Sequence, residues 1–265
     1  MADSIHPLRL LRHQIAALER TRSPIAARVS IGHADIDAAT GGGLVRGRLH
    51  EVFALDAADA GSAAGFAGML AHRLGGSIVW LREDAAERQS GRLHAAGLAE
   101  IGVDPRQLIM GLSPDPLAVL RAAADVVRCS AVGVAVIEVR RNPPLLDLTA
   151  SRRLALAAEA SGVTVLLVRI DAVPAPSAAD TRWAIRTAPS TPLEANAPGH
   201  PALDIELLRQ RGRPADHRWQ VEWDRERTAF RAHGESRAPL SGAMVRLVAD
   251  RSAVAGGIVP RRRTG

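Results

Sequence analysis

The chain is 265 residues long, 47% hydrophobic and 23% charged, a balance that reads as globular and excludes a disordered polymer. No apolar run approaches the roughly 20 residues that span a bilayer, and no secretory pattern opens the chain, so a cytoplasmic protein without membrane association is expected. The formal net charge of +6 rests wholly on arginine, because none of the 34 basic residues is lysine; guanidinium-only charge favours planar contacts to phosphate or carboxylate, although a high-GC coding sequence produces the same bias.

Residues 6–22 place Leu8, Leu11, Ile15 and Leu18 at helical spacing among arginines and stop at Ser23-Pro24, which predicts an amphipathic helix set apart from the main body, a candidate partner contact. The chain divides accordingly into residues 1–25, a main domain over 26–235 and a basic tail over 236–265. From residue 48 apolar runs recur at 49–55, 77–81, 108–112, 132–139 and 163–168, separated by helical stretches such as 115–128 and 147–160. That alternation predicts an α/β domain with a mostly parallel sheet flanked by helices. Cys129, the single cysteine, excludes an internal disulfide and a cysteine-based zinc site, and its position reads as core filler.

Beyond Arg169 the Pro/Ala/Ser stretch 173–179 reads as a loop. Leu203, Ile205 and Leu207, a turn at Gly212-Arg213-Pro214, then Trp219, Val221 and Trp223 predict an antiparallel hairpin, extended by 228–232. Both tryptophans fall on its core face. The tail ends in Arg261-Arg262-Arg263, a second candidate partner contact.

A first strand of this kind normally ends in a glycine-rich loop that cradles phosphate at a helix N-terminus, followed by lysine and a hydroxyl residue. Here the strand at 48–53 runs into Ala54-Leu55-Asp56-Ala57-Ala58-Asp59-Ala60-Gly61-Ser62. The position is right and the residues are wrong. No metal-ligand spacing or nucleophile elbow occurs elsewhere, so no catalytic residue, cofactor or metal is expected.

The segment 35–53, DIDAATGGGLVRGRLHEVF, resembles the lead-in to the phosphate loop of the RecA family, and 98–108, LAEIGVDPRQL, is similar to the stretch before its third strand. On that resemblance, which spans about 30–232, Glu138 falls on the Walker B strand and Glu83 at the position of the water-activating glutamate. Both are expected to be isolated strand-end acids, since Ala60 falls at the loop lysine and Ala54 at its first glycine. The resemblance implies a RecA-like, P-loop-type domain with degenerate Walker motifs and a C-terminal hairpin. With its decayed loop and arginine-rich tail, the chain resembles the ImuA family in particular. That implies a non-catalytic accessory protein of the SOS response and error-prone translesion synthesis, acting through an ImuB-like Y-family polymerase relative and a DnaE-type polymerase, with RecA as a further candidate. Three alternatives stand beside it. One is direct, weak DNA binding through Arg140, Arg141, Arg152 and Arg153; another is an ATPase using Arg48 or Arg73 for the lysine; the third is a SulA-like inhibitor of cell division.

Overall fold

The computed structural model describes residues 27–193, 197 and 199–234. The candidate contacts Leu8, Leu11, Ile15 and Leu18, and Arg261, Arg262 and Arg263, lie outside the described residues.

A short antiparallel pair, β1 (Arg28–Val29) and β2 (Leu44–Val45), brackets helix α1 (Ala34–Thr40). Next in the chain come β3 (Leu49–Ala54), α2 (Ala60–Leu74), β4 (Ile78–Glu83), α3 (Asp84–Ser90), α4 (Ala95–Glu100), β5 (Leu108–Ser113), α5 (Pro116–Val126), β6 (Val134–Arg140), α6 (Leu148–Ser161) and β7 (Thr164–Ile170). Four strands complete the chain: β8 (Thr181–Thr187), β9 (Ala202–Gln210), β10 (His217–Asp224) and β11 (Ala229–Ala232). The nine strands from β3 onward form one sheet in the order β11-β10-β9-β8-β3-β7-β6-β4-β5. From β8 to β5 neighbours are parallel, and from β8 to β11 they are antiparallel.

The central strands are buried along their length because helices cover both faces, which is why they read as unbroken apolar runs. Val52, Val136, Leu166 and Val168 meet the inner face of α2, including Phe66 and Leu70. On the opposite face Leu49, Ile137, Val165 and Leu167 meet Val119 and Ala123 of α5 and Leu154 and Ala158 of α6. Phe66 joins α2 to the antiparallel half: its ring lies 6.1 Å from Trp183 and 5.7 Å from Phe230, which meets Trp223 edge-on at 4.8 Å.

Two expectations need correction. Cys129 is exposed, in the turn after α5, rather than in the core. Both tryptophans lie on the core face as expected, and Trp223 is fully buried, but Trp219, packed against the core 6.5 Å from Trp183 and stacked on His217, is only half-buried. Strand β8, sequence TRWAIRT, lies in a stretch for which no strand is predicted. Its Trp183 and Ile185 face the core, while Arg182 is ion-paired to Glu51 and Arg186 lies 3.8 Å from Glu206.

His50, in the middle of β3, is fully buried. Its Nε2–H donates to the Val45 carbonyl at 2.9 Å, and its Nδ1 accepts from the Thr181 hydroxyl at 2.8 Å. That hydroxyl in turn accepts from Trp183 Nε1 at 2.7 Å, an arrangement that accommodates the neutral imidazole. Burial pushes the His50 pKa below its ordinary value, against a smaller opposing effect of the Val45 carbonyl. The folded protein therefore refuses a proton that the unfolded chain takes up near its ordinary value of 6.5. Stability should be fully present above that pH and fall below it by up to about 1.4 kcal/mol per pH unit. At Glu222 burial works to raise the pKa but is outweighed by hydrogen bonds from Thr191 and Arg231, which hold it below its ordinary 4.5, so its loss begins only at lower pH. Urea unfolding of the wild type and His50→Gln between pH 7.5 and 5 isolates the first window, in which the variant's pH dependence should be flatter.

Candidate functional site

In an open α/β sheet, ligands bind beyond the carboxyl ends of the parallel strands, where the chain switches direction across the sheet. Here the chain leaves β3 for β4 on one side and later crosses from β7 over β3 to β8 on the other. The switch point is the end of β3.

Strand β3 leads into a short connection, Leu55 to Asp59, whose last three residues form a 3-10 turn running directly into α2. The polar groups of this connection are used internally. Asp56 Oδ1 accepts from the Ala58 amide at 2.8 Å, Asp59 Oδ1 accepts from the Thr187 amide of β8 at 2.8 Å, and the Ser62 hydroxyl bonds that of Thr187 at 2.7 Å. Two carboxylates thus stand at the start of α2, where the helix dipole would otherwise attract a phosphate. Ala54 and Ala60 are both buried, so neither end of the connection presents a cation.

A cleft of about 470 Å³ opens beside this connection, lined by Gly61, Ser62 and Gly65 of α2, by Arg92 and His94, and by Arg82 and Glu138. At those last two residues the structure departs from the expectation of isolated acids. Glu138 accepts a hydrogen bond from Arg82 Nη2 at 2.9 Å, with both side chains 3% exposed. Trp80 Nε1 donates to its other oxygen at 3.3 Å, and Arg82 Nη1 donates to the Gly91 carbonyl at 3.1 Å. Arg82 is the residue that sequence reasoning missed. Only the strand pairing, which sets Leu81 of β4 against Ile137 of β6, brings the next residues side by side on one face. Glu83, one position on, points to the other face and is buried, with Oε1 lacking a hydrogen bond among the described residues.

A second buried charge cluster lies on that other face. Glu51 of β3 accepts from Arg182 Nε at 2.9 Å and from the Ser177 hydroxyl at 2.6 Å, with Arg169 Nη1 at 3.6 Å. Arg169 lies over the Phe53 ring at 5.7 Å and donates to the Arg141 carbonyl and to Asn142 Oδ1. Asn142 Nδ2 donates to the Val173 carbonyl at 3.0 Å. The loops leaving β6 and β7 are therefore tied to the sheet and to each other through buried charge.

Comparison with solved structures gives the crystal structure of the RadB recombinase, which matches 74% of this chain and 96% of its own at 16% identity and a TM-score of 0.51. The chain has the RecA-like fold. No family model matches it, and no curated protein does.

In that RecA-like frame the Leu55–Asp59 connection stands at the phosphate loop and Glu138 on the Walker B strand. The residues present do not fit a magnesium nucleotide: Asp56 and Asp59 set negative charge beside the connection, no lysine stands there, and the Arg82 guanidinium is paired to Glu138. The two arginines considered as lysine substitutes are placed elsewhere. Arg48 precedes β3, at the opposite end of the sheet, and is ion-paired to Glu159 of α6. Arg73 lies at the far end of α2, about 20 Å along the helix, where it donates to the Ser30 and Thr228 carbonyls at 2.7 Å each. Of the candidate DNA contacts, Arg140 donates to the Ser90 hydroxyl at 2.7 Å and Arg141 is exposed, 3.7 Å from Asp171, while Arg152 and Arg153 are exposed on α6. Among the described residues no group of His, Cys, Asp and Glu side chains is arranged to hold a metal ion, and no helix is long and apolar enough to cross a membrane.

Proposed function

We propose that this chain is a non-catalytic RecA-like accessory protein of damage-induced, error-prone translesion synthesis. It acts by binding an ImuB-like Y-family polymerase relative and a DnaE-type polymerase, with RecA as a further candidate. The observation that carries the non-catalytic part is the buried Arg82–Glu138 pair. A metal ion at Glu138 would have to displace a guanidinium already paired in a water-poor site, and nothing at Leu55 to Asp59 compensates with phosphate contacts. The translesion assignment draws its support from the similarity of 35–53 and the degenerate loop to the ImuA family.

The surface of α6 supports a protein partner over DNA. Leu148, Arg152 and Leu156 succeed one another at spacings of four, and both leucines are more than half exposed, so they share one stripe. Phosphate contact has no use for exposed leucine, whereas a partner segment carrying apolar and carboxylate side chains matches both residue types.

Calorimetry with millimolar ATP and magnesium should record no binding heat, and affinity purification from DNA-damaged cells should recover an ImuB-like protein. Saturable magnesium-dependent ATP binding would overturn the non-catalytic reading, and purification without any polymerase subunit would overturn the translesion assignment.

A further inference from the structure

The two edges of the nine-stranded sheet are built differently. β11 is four residues long and carries Arg231, ion-paired to Glu222 of β10, a short and charged edge of the kind that resists further pairing. β5, sequence LIMGLS, is six residues long, holds no charge and no proline, and has β4 as its one strand neighbour among the described residues. Ile109, Met110 and Leu112 are 61%, 40% and 49% exposed. The register with β4 puts Met110 and Leu112 on the face shared by Trp80 and Arg82, and Ile109 on the opposite face. Among the described residues, apolar side chains are therefore open on both sides of a strand paired along one edge only.

We propose that β5 pairs antiparallel with β5 of a second copy of this chain, joining two sheets across a two-fold axis. The strand is complementary to itself. A dyad at Gly111 sets Met110 of each copy opposite Leu112 of the other, so the same apolar cross-strand pair forms twice on one face. The flanking charges are mixed: Asp104 and Arg106 precede the strand and Asp115 comes after it, all exposed. A foreign strand would need to supply this apolar pattern, which a second β5 already has.

The test uses the full chain purified alone, so its outcome is separate from the accessory reading. Sedimentation velocity from about 1 to 100 µM should show a concentration-dependent dimer. Met110→Glu/Leu112→Glu, at two exposed positions that the dyad sets opposite each other, places like charges face to face twice and should leave the circular dichroism unchanged and weaken dimerisation at least about tenfold. In a Cys129→Ser background, mixed Met110→Cys and Leu112→Cys chains should cross-link to each other in preference to themselves. A wild type that stays monomeric throughout, a dimer indifferent to the double substitution, or cross-linking without that preference would each overturn the proposal.

Discussion

Glu138→Ala is expected to destabilise the protein by about 3–5 kcal/mol, because it leaves the Arg82 guanidinium charged in a site with 3% exposure and no other carboxylate within ion-pair distance among the described residues. Trp80 Nε1 loses its acceptor in the same step, and an unmet buried donor adds to the cost. Arg82→Ala should destabilise similarly by stranding the carboxylate. Arg82→Met/Glu138→Leu should behave differently: it replaces two desolvated charges with apolar volume, an exchange that is often neutral or stabilising by about 1–4 kcal/mol. Urea denaturation of the wild type, the two alanine variants and Arg82→Ala/Glu138→Ala forms a double-mutant cycle whose coupling energy should be large and favourable. A Walker B acid poised for magnesium predicts the opposite pattern, in which Glu138→Ala relieves local charge and costs little stability. A loss below about 1 kcal/mol in both single variants would mean that the pair does not close the site.

The parallel core was legible in the sequence because its strands are buried on both faces, and an unbroken run such as Val134 to Val139 has few other uses in an α/β chain. Strand β8 was not, because its arginines look like loop surface until Glu51 and Glu206 are placed beside them. The site divides the same way. That residues 54 to 62 carry no lysine, with alanine at position 54, could be read directly from the sequence. The pairing of Arg82 with Glu138 could not, since they are 56 positions apart and meet only because β4 and β6 pair in a particular register. Cys129 shows the converse error: its position read as core filler, but of the nearby Val126, Val127 and Val132 only Val127 is fully buried, and the thiol lies in an exposed turn.

The glycine-rich lead-in, which carries most of the resemblance to RecA-type proteins, separates conformational from steric demands. Gly41, Gly42 and Gly43 all have positive φ, at 74°, 107° and 97°, and together they turn the chain from α1 into β2. Gly41 is the left-handed cap of α1, and the Gly42 amide reaches back to the Asp37 carbonyl at 2.7 Å. Thr40 and Arg28 fasten the turn, the first by accepting from the Gly43 amide at 3.0 Å, the second by donating to the Thr40 and Gly43 carbonyls. A Cβ on Gly42 would meet only Arg28 Cδ, at 3.5 Å, so Gly42→Ala should cost about 1 kcal/mol of conformational strain. A Cβ on Gly43 would overlap the Val29 carbonyl oxygen and lie 2.6 Å from its carbon and 2.8 Å from Ser30 Cα, all backbone atoms of the neighbouring strand and its exit. Gly43→Ala should therefore cost about 3 kcal/mol or more, because β1 must move or the β1–β2 pair must open. Thermal or urea unfolding of the two variants should separate them by about 2 kcal/mol. Equal losses would show that backbone conformation alone selects glycine here, whereas the expected gap means that close packing of β1 against the turn also demands glycine at position 43.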